Sequence, residues 1–218
     1  ELGVNFFDTA SAYQGGSSEQ YLGRSLKSFA RRDQVVVATK FPVRTREEMD
    51  AGISGQEHVR RMLDRSLQNL GMDYVDLYIY HMWDYRTPLH EIMEGLHQVV
   101  KAGKARYIGA SSMHARQFAQ ALALQQQNGW ARFVTMQDHY NLIYREEERE
   151  MLPLCEDQGV GVIPWSPMAR GRLTRDWSVT SRRTQNDAFA LKMYENAALL
   201  DKPVIDVVAS IAEKHAVP

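Results

Sequence analysis

Apolar residues follow two spacings that take turns along the chain. Short, nearly continuous apolar runs occur at Asn5-Phe6-Phe7, Val35 to Thr39, Val75 to Tyr80, Ala105 to Gly109, Phe133 to Gln137 and Val160 to Trp165. Their β-branched and aromatic content predicts strands, and their lack of strict alternation predicts a parallel sheet covered on both faces. Between them the apolar positions recur every three or four residues, the helical spacing. The clearest case is Gln56 to Leu70, with Val59, Met62, Leu63, Ser66, Leu67 and Leu70 on one side. Ser54 and Glu57 have capping-box spacing at its start, and Gly71 lies just past its end. A second helix is predicted from Leu89 to Ala102, with Ile92, Met93, Leu96, Val99 and Val100 inward and Gly103 as its stop. Fainter helical patterns cover Glu19 to Arg31, Ala115 to Asn128, Glu146 to Gln158 and Val204 to His215. Pro153 should make the third of these irregular or late in starting.

Strands that alternate with helices imply βα units. A doubly wound open sheet usually carries a Gly-rich phosphate turn after its first strand, and no G-x-G-x-x-G occurs here. Eight units of a barrel take about 250 residues, so six units in 218 fit a barrel lacking its ends. The expected architecture is a (β/α)8 TIM barrel with strands 2–7 present and strands 1 and 8 absent, forming a single partial domain over residues 1–218.

Composition narrows the partners. The chain is 44% hydrophobic, enough for one sizeable core, and its formal net charge is -1, without the basic surplus of a nucleic-acid binder. Cys155 is the only cysteine, so no internal disulfide can form, which fits a reducing compartment. No apolar run approaches the roughly 20 residues needed to span a bilayer. A cytoplasmic enzyme, monomeric or homo-oligomeric, that acts on a small molecule is the expectation. His58, His90, His97, His114, His139 and His215 show no metal-ligand spacing, and no metal is expected.

The informative residues end the strands. Asp8 follows Phe6-Phe7, Lys40 follows Val35 to Thr39, and His81 follows Tyr78-Ile79-Tyr80. Ser111 and Ser112 follow the fourth run, Gln137 closes the fifth, and Trp165-Ser166 the sixth. A parallel barrel gathers all these ends at one rim, where barrel enzymes do their chemistry. Taken singly, a Lys, Asp or His at a strand end is more often solvated or structural; the set is the signal. Asp8 and Lys40 can form a partly buried ion pair. Tyr13 lies five residues beyond Asp8, and a nearby ammonium favours its phenolate, making the phenol a usable acid near neutrality. His81 can donate a hydrogen bond to a carbonyl oxygen or help relay the proton. Such a set suits carbonyl reduction, and the hydride must come from a cofactor.

Phe7-Asp8-Thr9-Ala10-x-x-Tyr13, Ala38-Thr39-Lys40 and Leu70-Gly71-Met72-Asp73-Tyr74-Val75-Asp76-Leu77-Tyr78-Ile79-Tyr80-His81 resemble the signatures of the aldo-keto reductases in order and spacing. From Val99 to Leu173 the chain looks like the bacterial YajO-type subgroup. The resemblance implies an NADPH-dependent oxidoreductase that reduces an aldehyde, ketone or sugar-derived carbonyl to an alcohol. It implies a catalytic set of Asp8, Tyr13, Lys40 and His81, with Tyr13 as general acid. It places Ser111, Ser112 and Gln137 on the nicotinamide carboxamide, although the second of these positions is commonly Asn in the family. Trp165 would stack on the nicotinamide ring, where many members carry Tyr. Ser166, Pro167, Met168, Arg170, Gly171 and Leu173 resemble the loop over the cofactor pyrophosphate. The contacts that select NADPH over NADH would lie mostly in the last barrel unit.

Residues 166–183 also hold Arg170, Arg172, Arg175, Arg182 and Arg183 against one acid, Asp176, a local surplus suited either to phosphates or to simple solvation. Trp83 and Tyr85, just past His81, could wall a substrate pocket or be ordinary loop aromatics, and Tyr140 and Asn141 are weaker candidates for the same role. Three rival readings stay open. One is a family member that converts a phosphorylated sugar. Another is a regulatory module like the related β subunits of potassium channels. The third is a lyase or isomerase using Lys40 as a Schiff-base amine, which Asp8 should oppose by keeping Lys40 protonated.

Overall fold

The computed structural model describes residues 3–174 and 198–217. Arg175, Asp176, Arg182 and Arg183 of the basic loop lie outside the described residues. The described chain forms two compact units, 1–137 with 150–163, and 138–149 with 164–218.

The first unit is a parallel sheet in strict chain order: β1 (Phe6–Asp8), β2 (Val36–Phe41), β3 (Val75–Tyr80), β4 (Ala105–Ser111), β5 (Phe133–Gln137) and β6 (Gly161–Val162). Helices α1 (Ser17–Phe29), α2 (Arg46–Asp50), α3 (Gly55–Leu70), α4 (Leu89–Lys101), α5 (Ala115–Asn128) and α6 (Met151–Gln158) fill the connections. Chain order without reversal is the order of a barrel wall; a doubly wound sheet reverses at a switch point. Curvature has its own witness. Gln137 Nε2, at the end of β5, donates to Asp8 Oδ2, at the end of β1, at 3.3 Å. In a flat sheet strands four places apart would be separated by about 19 Å. The sheet therefore curls enough to bring these two ends together.

Most predicted elements appear within a residue or two. α3 starts one residue early, with Ser54 Oγ accepting from Glu57 N at 3.2 Å and Gly71 left-handed at its end. The reciprocal half of the box does not form, because the Glu57 carboxylate pairs with Arg60 and Arg61. A full capping box occurs instead at Thr45 and Glu48 in α2, a helix the apolar spacing does not announce. The Glu146–Gln158 pattern splits, as Pro153 suggests, into a short 3-10 turn (Glu146–Glu148) and α6, where the proline sits in the first turn and needs no partner for its missing N–H. The Val160 to Trp165 run is strand only at Gly161–Val162, with Trp165 in an isolated bridge to His139.

The outer layer packs α3, α4 and α5 against Val37, Phe41, Tyr78, Tyr80, Ile108 and Phe133 in one continuous core. Ala38, Leu77 and Ile79 form a separate cluster on the opposite face. Burial on both faces is complete for β3 but not for β1 or β4, where Phe6 and Tyr107 are exposed.

In the second unit, α7 (Ala198–Lys214) follows a tight turn at Ala169–Gly171. Arg172 meets Asp201 of α7 at 3.2 Å. One member of the basic surplus is thus neutralised by an acid from outside the loop.

Candidate active site

Parity along the parallel strands decides which side chains meet. Asp8 is in register with Ala38, Lys40 with Ile79, Ile79 with Gly109, and Ser111 with Gln137. Side chains two apart share a face. Asp8, Lys40, Ser111 and Gln137 therefore stand on the face that carries Ala38 and Ile79, and His81, two residues past Ile79, continues that row.

Lys40 is fully buried. Its Nζ donates to Asp8 Oδ2 at 2.6 Å and to the Thr9 carbonyl at 2.7 Å. Burial lowers its pKa below that of a free lysine, while the Asp8 carboxylate pulls the other way. Asp8 thus favours the protonated amine, as expected, against a desolvation that is the larger influence. Asp8 Oδ2 takes both the ammonium and the Gln137 amide.

Tyr13 opens a 3-10 turn (Tyr13–Gly16) whose Gln14, Gly15 and Gly16 all have positive φ. The turn folds the loop back so that the Tyr13 ring lies 5.1 Å from Lys40 Nζ and 6.0 Å from the His81 ring, edge-on at 79°. The loop is pinned to β2: Ser11 gives both its amide and its hydroxyl to the Lys40 carbonyl, at 3.1 and 3.0 Å. Glu19, fully buried in the first turn of α1, accepts from Thr39 Oγ1 at 2.6 Å and Asn69 Nδ2 at 2.8 Å. Neither Ser11 nor Glu19 stands out in the sequence. The hint available is Glu19's place in a first helical turn, opposite a strand threonine.

His81 is neutral at physiological pH. Burial, reinforced by the Lys40 charge and opposed by Asp8, brings its pKa from 6.5 down to about 4. One ring nitrogen is then a donor and the other an acceptor. The aromatics beyond it divide. Trp83 packs on Tyr80 with ring centroids 6.4 Å apart, while Tyr85 is 76% exposed. Asp84 between them is buried and accepts from Thr87 Oγ1 and the amides of Arg86 and Arg44, which holds it ionised and fixes the loop.

Ser111 is buried, with its Oγ 3.1 Å from that of Ser112. Ser112 has φ 52°, a left-handed conformation that Asn adopts more readily than Ser. A backbone preference thus lies beneath the Asn habit expected at this position. The donor set of Ser111 and Gln137, beside the Asp8–Lys40 pair, has the chemistry to hold a carboxamide.

In the second unit Trp165 lies flat on His139, centroids 4.1 Å apart and planes at 11°, and His139 lies on Tyr144 at 4.2 Å and 18°. Asn141 organises the group through Ser166, His139 and the amides of residues 143 and 144. Ser166, Ala169, Arg170 and Gly171 all have positive φ, and Met168 accepts from Gly171 and Leu173 amides. Pro167 and Met168 are exposed and Arg170 half-buried. The amides of Ala169, Gly171, Arg172 and Leu173 donate to carbonyls within the turn, and Arg170 adds a positive charge beside them. The Trp165 indole and the Arg170 guanidinium have the chemistry to take a flat ring and a phosphate.

An ammonium–carboxylate pair and a neutral imidazole at the ends of β1, β2 and β3, with a phenol from the turn after β1, have the chemistry to handle a proton. The chain belongs to the aldo/keto reductase family, whose model matches residues 1–217. It is 39% identical over 236 residues to the versiconal hemiacetal acetate reductase of Aspergillus parasiticus, covering 99% of this chain and 68% of that protein. It is 41% identical to the aldo-keto reductase AMT2 of Alternaria alternata, over 80% of this chain and 54% of the relative. Among solved structures it is similar to a protein assigned as a 2,5-diketo-D-gluconic acid reductase B, with TM-score 0.68 and 28% identity over 81% of this chain and 57% of that one. The chain thus spans between about half and two thirds of the length of these relatives.

Proposed function

We propose that this chain is the catalytic core of an NADPH-dependent reductase that converts a carbonyl to an alcohol. The single observation that carries the reading is the meeting of the Tyr13 ring with both His81 and the Lys40 ammonium that Asp8 pairs. NADPH, when bound, supplies the hydride. Tyr13 gives its phenolic proton to the carbonyl oxygen as negative charge grows there. The Lys40 ammonium, held by Asp8 and the Thr9 carbonyl, stabilises the phenolate left behind. Neutral His81 donates one hydrogen bond to the same oxygen and orients the substrate.

On the first unit, Ser111, Ser112 and Gln137 would hold the carboxamide. On the second, Trp165 would carry the ring, and Ser166, Pro167, Met168, Arg170, Gly171 and Leu173 the pyrophosphate. Trp83 and Tyr85 are proposed for the substrate side. A Schiff-base role for Lys40 is disfavoured by geometry, since its Nζ is buried and spends its donors on Asp8 and Thr9. The relatives' names point to aldehyde- or hemiacetal-derived carbonyls, and a phosphorylated sugar belongs in the same panel.

Tyr13→Phe in the full-length protein should lower turnover by about 10²–10⁴-fold while NADPH affinity stays nearly unchanged. The check is NADPH oxidation against aldehydes, ketones and sugar phosphates, with binding followed separately. Undiminished turnover in this variant removes Tyr13 as the acid.

A further inference from the structure

The Tyr144–His139–Trp165 stack contains a histidine whose protonation state the geometry fixes. Asn141 Oδ1 accepts from the amides of Ile143 and Tyr144, both at 3.0 Å. Its Nδ2 donates to the Ser166 carbonyl at 3.0 Å. Exchanging oxygen and nitrogen would set N–H against N–H and oxygen against oxygen, so the amide has one orientation. The same Nδ2 lies 3.2 Å from His139 Nε2. Against an N–H donor, Nε2 must be the acceptor, and the ring proton therefore sits on Nδ1.

We propose that Asn141 keeps His139 neutral and Nδ1-protonated as the fixed backing ring of Trp165, leaving the indole's opposite face able to receive a planar cationic heteroaromatic ring, the oxidised nicotinamide. The inference rests on the reading of Trp165 as the nicotinamide platform and adds to it a positioning residue and a preference for cofactor redox state. An indole attracts a cation to its face through its negative quadrupole. An imidazolium on the other face would draw on the same electrons and repel the incoming charge across one ring. Reduced nicotinamide is uncharged and would be indifferent. The charged and titratable groups around His139 act in the same sense. Burial and then the Arg170 guanidinium lower its pKa, and the Tyr144 phenol on its far side is raised by burial and by Glu147, Glu146 and Asp138, so it stays neutral.

Two measurements on the full-length protein test this. Nitrogen-15 NMR of the His139 ring in the wild type should show the Nδ1–H tautomer at neutral pH. The ratio of NADP⁺ to NADPH affinity, in which effects common to both phosphorylated cofactors cancel, should fall about tenfold as His139 takes up its second proton. In His139→Phe, which keeps a flat neutral ring, that fall should vanish. An Nε2–H tautomer, a ratio that stays level through the His139 titration, or an equal fall in His139→Phe each overturns the proposal. Should His139→Phe fail to fold, the wild-type tautomer and titration decide alone. Trp165→Leu separates the two levels: weakened binding of both cofactors is expected. Unchanged binding would overturn the platform reading itself, and the proposal with it, while a level ratio with Trp165 still required overturns only the role of His139.

Discussion

Asp8 is 31% exposed at its side chain and Lys40 1%, so the pair is neither a surface salt bridge nor a fully dry one. Its worth lies in holding a charge at a fixed place beside a phenol. His81 has the converse character, an imidazole kept uncharged by its surroundings. Its pKa of about 4 in the folded state lies below the 6.5 of an exposed ring. Between those values the unfolded chain binds the additional proton, so folding stability rises with pH across this window. The contribution is complete above about pH 6.5 and is lost as pH falls toward 4. Urea midpoints measured from pH 7 to pH 4 should decline, and His81→Gln should flatten part of that decline. An identical slope in the variant would show that His81 is not the depressed group.

Helix contacts are set by glycines. Gly23 of α1 lies so close to the end of α3 that a Cβ there would stand 2.0 Å from the Leu70 carbonyl oxygen. Alanine is the better helix former by about 1 kcal/mol, yet the obstacle is backbone and cannot swing away. Gly23→Ala should therefore destabilise the protein by about 1–3 kcal/mol, read as a lower denaturation midpoint. A neutral or stabilising result would mean that α1 can shift outward at little cost. Elements long enough to show a period were legible beforehand: α3, α4, α5, β3 and β5 agree with their apolar spacing to within a residue. α2 was not, because five residues do not complete a pattern and its stability comes from the Thr45–Glu48 caps. The ends of β2, β3, β4 and β5 carried the polar rim in plain view. Glu19, Ser11 and His139 were hidden for a physical reason. Their roles depend on contacts across 20 to 50 residues or on ring stacking, neither of which leaves a local spacing in the chain.

At the scale of the first unit, protection should follow strand position. β2 and β3 have neighbours on both edges and bury nearly every side chain, whereas β6 is two residues long and Phe6 of β1 is exposed. Hydrogen exchange should accordingly be slowest for amides from Val37 to Phe41 and from Leu77 to Tyr80, and faster by at least an order of magnitude in β1 and β6. Uniform protection across the six strands would contradict the register described. Curvature carries a further consequence. The amide of Gln137 touching Asp8 acts as a tie rod across the mouth of the curled wall, joining segments 129 residues apart in sequence. Spreading of the two strand ends is resisted before any small molecule arrives. A lesion in the fifth strand would then reach the carboxylate of the first directly, without passing through the strands between.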